Sequence, residues 1–304
     1  MNFQRGLWTR YESEGIPIYV RGDRPNWFVP TSAGDRILRE WPGAAVNGDL
    51  QVRRFLERLP GEPPLAYRGR DQVLSLQHLR ELWFHLTNRC NQACRHCLFV
   101  SSPAARAELE AARVKDIAAQ AAALGCRVFA LTGGEPLVYP DFPKIVDYLL
   151  GFDRSHVLVL TNGILLKNFA DHLARWPQER FHLQVSLDGL EENHDRLRGK
   201  GAFAALRENL AWLKTQARTC TLSMCVTAAN FTDLPAVADL AGELGAANLH
   251  LIWYFVRGRG TSDQFVPSEA IVPQVVETAS RAAALGVSVD NLDTLKAQVL
   301  APSG

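Results

Sequence analysis

Three of the six cysteines lie within one short stretch of the chain. Cys90, Cys94 and Cys97 follow a C-x3-C-x2-C spacing. Thiolates this close together ligate zinc or iron–sulfur clusters rather than pairing as disulfides. An iron–sulfur cluster usually takes four cysteines, so a set of three would leave one iron open to a ligand from outside the chain. Two alternatives are open. One is a zinc site with His96 as the fourth ligand, although its position next to Cys97 makes shared ligation awkward. The other is a chance group of buried cysteines.

Glycine-rich segments with polar side chains recur downstream of this loop. Glycines let the backbone come close to a ligand, which polar groups beside them can then bind. Asn-Gly and Asp-Gly pairs are also common in ordinary turns, so each segment alone can be a plain loop. The segments are Thr132-Gly133-Gly134-Glu135-Pro136, Thr161-Asn162-Gly163 and Ser186-Leu187-Asp188-Gly189, the last followed by a run that ends in Arg198-Gly199.

The cysteine spacing, with the ring-bearing His96 before the last cysteine, resembles the radical S-adenosylmethionine (SAM) superfamily. The GGEP string that begins at Gly133 resembles a second motif of that superfamily. The SLDG string at Ser186 and the run up to Arg198 resemble its peptide-modifying branch. That branch includes sulfatase maturases and the SPASM or twitch-type maturases of ribosomally made peptides.

This resemblance implies two cofactors and a reaction. A 4Fe-4S cluster would be held by Cys90, Cys94 and Cys97, and its open iron would chelate S-adenosyl-L-methionine. One electron would then cleave SAM to a 5′-deoxyadenosyl radical, which would abstract hydrogen from a substrate. No catalytic residue beyond the cluster is assigned. Cofactor contacts are expected for His96, Gly133, Gly134, Glu135, Asn162, Ser186 and Arg198.

The remaining arginines and cysteines of interest receive a plainer interpretation. Arg257 and Arg259 could face an anionic substrate group, but solvated loop arginines are the favoured interpretation. The three cysteines outside the loop are expected to pack as small apolar residues. They are Cys126, Cys220 and Cys225.

Short apolar strands alternate with helical patterns from about residue 80 onward, which predicts a parallel sheet wrapped by helices. The fold class is therefore α/β, a partial (β/α)6 TIM-like barrel, preceded by a small α+β domain. Reactive groups in such barrels gather at the carboxyl ends of the strands, where all of the motifs lie. The predicted strands are Leu82–Leu86, Arg127–Leu131, His156–Leu160, Phe181–Ser186, Thr221–Thr227 and Leu249–Phe255.

The first 75 residues form the predicted small module, and residues 76–304 form the predicted barrel. A hairpin is expected from Ile16–Val20 and Trp27–Val29, followed by two amphipathic helices and a break at Pro60–Pro64. The segment FVPTSAGDRIL weakly resembles a PqqD-like domain, which implies recognition of a leader peptide. A structural cap on the barrel is the alternative.

Composition and charge limit the kinds of partner that this protein is expected to bind. A net charge of +1 gives no general attraction to nucleic acid, and no stretch is apolar enough for a membrane helix or a secretory signal. A cytoplasmic location is therefore expected. The resemblance implies an electron donor such as a flavodoxin or ferredoxin. SPASM-type relatives carry a cysteine-rich tail, but no cysteine follows Cys225 in this sequence. Either one cluster suffices or a tail follows Gly304, and the second option is the favoured expectation.

The predicted function is a radical SAM maturase that crosslinks or oxidises a ribosomally made peptide bearing a leader. A radical SAM enzyme that acts on a small molecule or cofactor precursor is the first alternative. A non-catalytic metal- or peptide-binding module is the second.

Overall fold

A computed structural model describes residues 5–13, 15–24, 26–41, 50–59, 61, 64 and 78–292. The chain divides into two compact units, Met1–Leu76 and Gln77–Gly304. Much of the expected break at Pro60–Pro64, and the chain from residue 293 onward, lie outside the described residues.

The N-terminal unit contains an antiparallel sheet of order β1-β2-β3 and two helices. The elements are β1 (Trp8–Ser13), β2 (Ile16–Arg21), β3 (Trp27–Phe28), α1 (Ser32–Glu40) and α2 (Leu50–Glu57). The expected hairpin is present as β2 and β3, and β1 adds a strand that the sequence did not predict. The reason is that β1 buries only Trp8 of its six residues, so it lacks an apolar alternation.

A small core and one buried carboxylate hold this unit together. The carboxylate of Asp35, in the FVPTSAGDRIL segment, accepts hydrogen bonds from the Tyr19 hydroxyl at 2.9 Å and the Arg10 guanidinium at 2.8 Å. These bonds tie α1 to β1 and β2. The core side chains are Trp8, Tyr19, Leu38 and Leu56.

The second unit is built on a seven-stranded parallel sheet, which confirms the α/β partial barrel. Its strands, in chain order, are β4 (Glu81–His85), β5 (Val128–Thr132), β6 (His156–Thr161), β7 (Phe181–Ser186), β8 (Thr221–Val226), β9 (Asn248–Trp253) and β10 (Ser288–Val289). Neighbours in the chain are neighbours in the sheet, as successive crossovers produce. The prediction of six strands missed β10, because two residues are too short for a periodic signal.

Helices connect these strands. They are α3 (Ala111–Ala123), α4 (Phe142–Leu150), α5 (Ala170–Arg175), α6 (Glu191–Arg198), α7 (Ala202–Thr215), α8 (Leu234–Leu244) and α9 (Ser268–Ala284). The sequence did not predict α5 or α6. Helix α6 was missed because its sequence, EENHDRLR, is mostly polar, and only His194 and Leu197 are buried. Among the described residues, no helix combines the length and apolar character needed to cross a membrane.

The strands bury alternate side chains under the helices and bring the motifs to one edge. Along β6, half-buried and buried side chains alternate. Val157 and Val159 therefore face the helices, while Leu158 and Leu160 face the barrel interior. The cysteine loop follows β4, the GGEP segment follows β5, and Asn162 follows β6. Ser186 ends β7. Parallel strands therefore place all of these groups at the same end of the barrel.

Candidate active site

The cysteine loop is held at its start by backbone hydrogen bonds. The N–H of Cys90 donates to the Ser102 carbonyl at 3.1 Å, and the N–H of Asn88 donates to the Ala107 carbonyl at 2.7 Å. Two backbone N–H groups also point at sulfur, from Gln92 to Cys90 Sγ and from Ser101 to Cys97 Sγ, both at 3.4 Å. N–H groups aimed at sulfur stabilise a thiolate, which is the form that binds metal.

The three cysteines share one cavity with most of the other predicted site residues. This cavity opens at the carboxyl ends of the strands. Its polar lining comprises Cys90, Gln92, Cys94, His96, Cys97, Ser101, Thr132, Gly133, Gly134, Thr161, Asn162, Ser186, Arg198 and Cys225. Its apolar lining comprises Leu98, Phe99, Leu160, Ile252, Trp253, Tyr254 and Phe255. Among the predicted contacts, only Glu135 does not line it.

Burial keeps the thiols of Cys90 and Cys94 protonated in the metal-free chain. It raises the pKa of Cys90 to about 12. Burial also raises the pKa of Cys94, against an opposing effect of the Arg198 charge. A metal must therefore displace these protons, and its binding will depend on pH.

The two glycines of the GGEP segment allow it to lie directly on the start of the cysteine loop. The N–H of Gly134 donates to the Thr87 carbonyl at 2.6 Å. A Cβ at Gly134 would stand 2.4 Å from the Arg89 carbonyl oxygen, and one at Gly133 would stand 2.5 Å from that of Thr87. Neither distance is sterically possible, so both positions require glycine. The glycines thus join two loops of the cavity through their backbones.

Glu135 is buried beneath the cavity, where it fixes the end of β6. Its carboxylate accepts hydrogen bonds from the Thr161 hydroxyl at 2.7 Å, the Asn162 N–H at 2.8 Å and the Leu137 N–H at 3.1 Å. Burial raises the pKa of Glu135 to about 6, although these bonds oppose the shift. The structure thus places its side chain behind the site, whereas the backbone of Gly133 and Gly134 lines it.

Asn162 connects β6 to the cysteine loop. Its side-chain amide donates to the Asn91 Oδ1 at 2.7 Å, and its Oδ1 accepts from the Ile164 N–H at 3.1 Å. Cys90 Sγ lies 3.9 Å from the same amide nitrogen. Asn162 is thus near a predicted ligand and also structural.

Asp188 is a central residue that the sequence did not single out. It is fully buried, and its Oδ2 contacts His96 Nε2 at 3.0 Å and Arg198 Nε at 2.6 Å. Its Oδ1 accepts from the Cys225 N–H at 2.9 Å. Burial alone would raise the pKa of Asp188, but the charge of Arg198 and the contact with His96 hold it well below its usual range. The signal for Asp188 in the sequence was the SLDG string, because an aspartate at the end of a strand can serve the site instead of forming a turn.

Arg198 is largely buried, unlike an arginine in a plain solvent-exposed loop. Its side chain is 11% exposed, and it lies at the cavity wall. Apart from the Nε bond to Asp188, its guanidinium has no hydrogen bond to the residues that the structure describes. Its two terminal nitrogens are therefore free to bind a carboxylate in the cavity.

Two of the plainer interpretations need correction. Cys225 lines the cavity instead of packing away from it. Arg257 is exposed as expected, but the Arg259 guanidinium donates hydrogen bonds to carbonyl groups of the cysteine loop.

Ser186, an expected cofactor contact, also lines the cavity, and its hydroxyl has no hydrogen bond to a described residue.

The donor set fits an iron–sulfur cluster better than a zinc ion. Within the described residues, no three cysteine, histidine or carboxylate side chains converge as a single metal ion requires. His96 turns its Nε2 to Asp188, and its buried Nδ1 has no hydrogen-bond partner in the described part of the chain. Cys90, Cys94 and Cys97 would hold the cluster, with SAM beside Ser186 and Arg198.

Comparisons with known proteins identify the family of this chain. The Radical SAM superfamily model matches residues 84–241. The subtilosin biosynthesis protein AlbA of Bacillus subtilis is 32% identical over 179 residues, which cover 58% of this chain and 40% of AlbA. The AdoMet-dependent heme synthase of Methanosarcina barkeri is 33% identical over 196 residues, which cover 62% of this chain and 55% of that protein. The chain thus spans about half the length of these relatives.

A solved structure shows the same fold. SuiB of Streptococcus suis, bound to S-adenosylmethionine, superposes with a TM-score of 0.61 at 15% identity, covering 91% of this chain and 72% of SuiB. Residues 77–304 make up 75% of the chain, which is less than the 91% that SuiB covers. The likeness therefore extends into the N-terminal unit. The family model covers more than half of the chain and includes Cys90, Cys94 and Cys97. The chain therefore belongs to the radical SAM superfamily, whose cofactors are a 4Fe-4S cluster and S-adenosylmethionine.

Proposed function

We propose that this enzyme abstracts hydrogen from a ribosomally made peptide, which is then crosslinked or oxidised. The observation that carries the proposal is a single cavity lined by the three cysteines of the loop and by Arg198, whose guanidinium is paired with the buried Asp188. When bound, the cofactors supply a carbon radical that abstracts hydrogen from an unactivated C–H bond. The likeness to AlbA, a bacteriocin biosynthesis protein, supports a peptide substrate.

The residues of the chain bind and orient SAM. Arg198 offers two guanidinium nitrogens to the carboxylate of its methionine part, while Asp188 fixes the guanidinium plane through Nε. Ser186 offers a free hydroxyl in the same wall. Orientation by fixed groups keeps the reactive part of SAM in one place relative to the substrate.

The mouth of the cavity supports a substrate with apolar side chains. Leu98, Phe99 and Phe255 line the cavity and are 40%, 48% and 62% exposed. Exposed apolar side chains gathered at one site mark a contact surface. A bound peptide would cover them and exclude water from the radical.

The N-terminal unit supports recognition of a leader peptide, in the manner of a PqqD-like domain. Among the residues that the structure describes, strand β1 pairs only with β2 and so lies at an edge of the β1-β2-β3 sheet. An edge strand can accept an extended peptide as a further strand. SuiB, whose likeness extends into this unit, has also been solved bound to its precursor peptide SuiA.

A reduced electron donor such as a flavodoxin or ferredoxin completes the proposed system, because SAM cleavage consumes one electron. A cytoplasmic location is also proposed, and the six free cysteines support it.

A tetrapyrrole or other cofactor precursor is the second candidate substrate. The observation that favours it is the 33% identity to the heme synthase. The two candidate functions are distinguished by which substrate, the peptide or the tetrapyrrole, changes its mass in the reaction.

The deciding experiment is anaerobic incubation of the reconstituted enzyme with SAM, a strong reductant and a candidate precursor peptide. Mass spectrometry should show loss of hydrogen from the peptide, and the change should be absent in Arg198→Gln. A parallel incubation with an iron-coproporphyrin serves as the second arm. Modification of the porphyrin with an unchanged peptide would contradict the proposal.

A further inference from the structure

The loop after β9 lies directly against the cysteine loop. The backbone N–H of Arg259 donates to the Cys97 carbonyl at 3.0 Å. A Cβ at Gly258, where φ is +64°, would stand 2.3 Å from the same oxygen and 2.4 Å from the Leu98 carbonyl oxygen. Only glycine fits there, so the two backbones are in contact.

The side chain of Arg259 adds two bonds to the same loop. Its Nε donates to the Cys94 carbonyl at 2.6 Å, and a terminal nitrogen donates to the Ser101 carbonyl at 2.8 Å. With the backbone bond, this residue holds three carbonyl groups spread from Cys94 to Ser101. Groups that hold the ligand-bearing backbone of a metal site tune both its affinity and its electronic properties.

The loop that carries Arg259 is closed on itself by Tyr254, the residue that directly follows β9. The Tyr254 hydroxyl accepts from the Thr261 N–H at 2.6 Å and donates to the Thr261 carbonyl at 3.1 Å. Arg257, two residues before Arg259, is exposed, and its side chain has no hydrogen bond within the described part of the chain. The two arginines therefore carry the same charge in different surroundings.

We propose that Arg259 is a positioning residue that holds the cysteine loop in its cluster-binding conformation, and that its fixed charge raises the reduction potential of the bound cluster. Net charge and hydrogen bonding near a cluster set its potential. A nearby cation favours the reduced state, because reduction adds negative charge. Arg259 is close enough to act on the cluster site, because its guanidinium Nε lies 2.6 Å from the carbonyl oxygen of Cys94, an expected cluster ligand.

The test compares Arg259→Gln, Arg259→Lys and the matched control Arg257→Gln, each reconstituted anaerobically as the full chain. Two quantities are measured: the rate at which a chelator removes iron, and the midpoint potential from a redox titration followed by electron paramagnetic resonance. Neither requires turnover. For Arg259→Gln we expect iron loss about 10-fold faster than in the wild type, together with a lower potential. Arg259→Lys should restore the potential while iron loss stays faster, and Arg257→Gln should change neither.

Wild-type values of both quantities in Arg259→Gln would overturn the proposal. An equal shift of potential in Arg257→Gln would do so as well, because it would show that any nearby charge suffices. If Arg259→Gln does not fold, Gly258→Ala separates the loop contact from the charge. It should speed iron loss without lowering the potential, and unchanged iron loss in that variant would contradict the positioning role.

Discussion

Asp188 shows how a single buried carboxylate can organise a site. It binds a residue of the cysteine loop, His96, and a residue at the end of α6, Arg198. Breaking one half of a buried ion pair costs more than losing an exposed one, because the remaining charge is left without a partner. Its removal should therefore affect folding and cofactor binding together.

For Asp188→Asn we expect a loss of about 3 kcal/mol in the free energy of unfolding, measured with urea on the metal-free chain. Weaker SAM binding to the reconstituted protein should accompany it. The control is Asp239→Asn, which breaks an exposed ion pair with Arg281 and should cost about 0.5 kcal/mol or less. Equal losses in the two variants would show that Asp188 has no special role.

His194 gives the site a predictable dependence on pH. It is buried, and its Nδ1 accepts the Asp188 backbone N–H at 3.1 Å, which requires a neutral ring nitrogen. Burial, assisted by the Arg198 charge, lowers the pKa of His194 to about 4. The unfolded chain takes up this proton near pH 6.5 and the folded chain does not, so acid favours unfolding between these two pKa values.

We therefore expect the stability advantage of the wild type over His194→Gln to shrink by about 2 kcal/mol between about pH 7 and about pH 5. Urea unfolding at several pH values measures this difference. Glutamine keeps an acceptor near the Asp188 N–H but does not titrate. A difference that is constant with pH would mean that His194 is already protonated in the folded chain or is not buried.

At the scale of elements, the site depends on loops that touch through their backbones. The GGEP segment lies on the start of the cysteine loop, and the loop after β9 lies on its end. Each contact leaves no room for a Cβ. A methyl group there should therefore disturb the cysteine loop without altering any charge.

Gly134→Ala should lower the free energy of unfolding by about 2 kcal/mol, because its Cβ would stand 2.4 Å from the Arg89 carbonyl oxygen. It should also reduce the iron bound after reconstitution. The control is Gly242→Ala within α8, where the added Cβ meets only the Leu285 side chain at 3.1 Å. Full iron binding in Gly134→Ala would show that the two loops are not in close contact.

Much of the fold was predictable because strands such as β6 and helices such as α4 have strong apolar periodicity. Elements that bury few residues, namely β1, β10, α5 and α6, gave no such signal. The cysteine loop was predictable from its spacing. The Arg259 contacts were not, since they join residues 158 and 165 positions apart and depend on how the barrel closes.

At the scale of the whole molecule, the two units suggest separate tasks. The barrel unit contains every candidate cofactor residue, and the N-terminal unit presents the edge strand β1. When a leader binds one site and the reacting segment another, the second binding step becomes intramolecular and gains effective concentration. The leader should therefore promote the reaction without taking part in the chemistry.

With the intact enzyme, we expect kcat/KM for a leader-bearing peptide to exceed that for the same core peptide without its leader by about 100-fold. Mass spectrometry of timed anaerobic reactions measures both rates, and a peptide with a scrambled leader is the control. Equal rates for all three peptides would rule out a role for the leader.

The most direct test of the account is the production of 5′-deoxyadenosine from SAM by the anaerobically reconstituted chain. The wild type and Cys220→Ala should both form it, because Cys220 is buried away from the cavity, whereas Cys94→Ala should form none. Undiminished 5′-deoxyadenosine from Cys94→Ala, or a wild-type protein that binds zinc in place of a redox-active cluster, would contradict it.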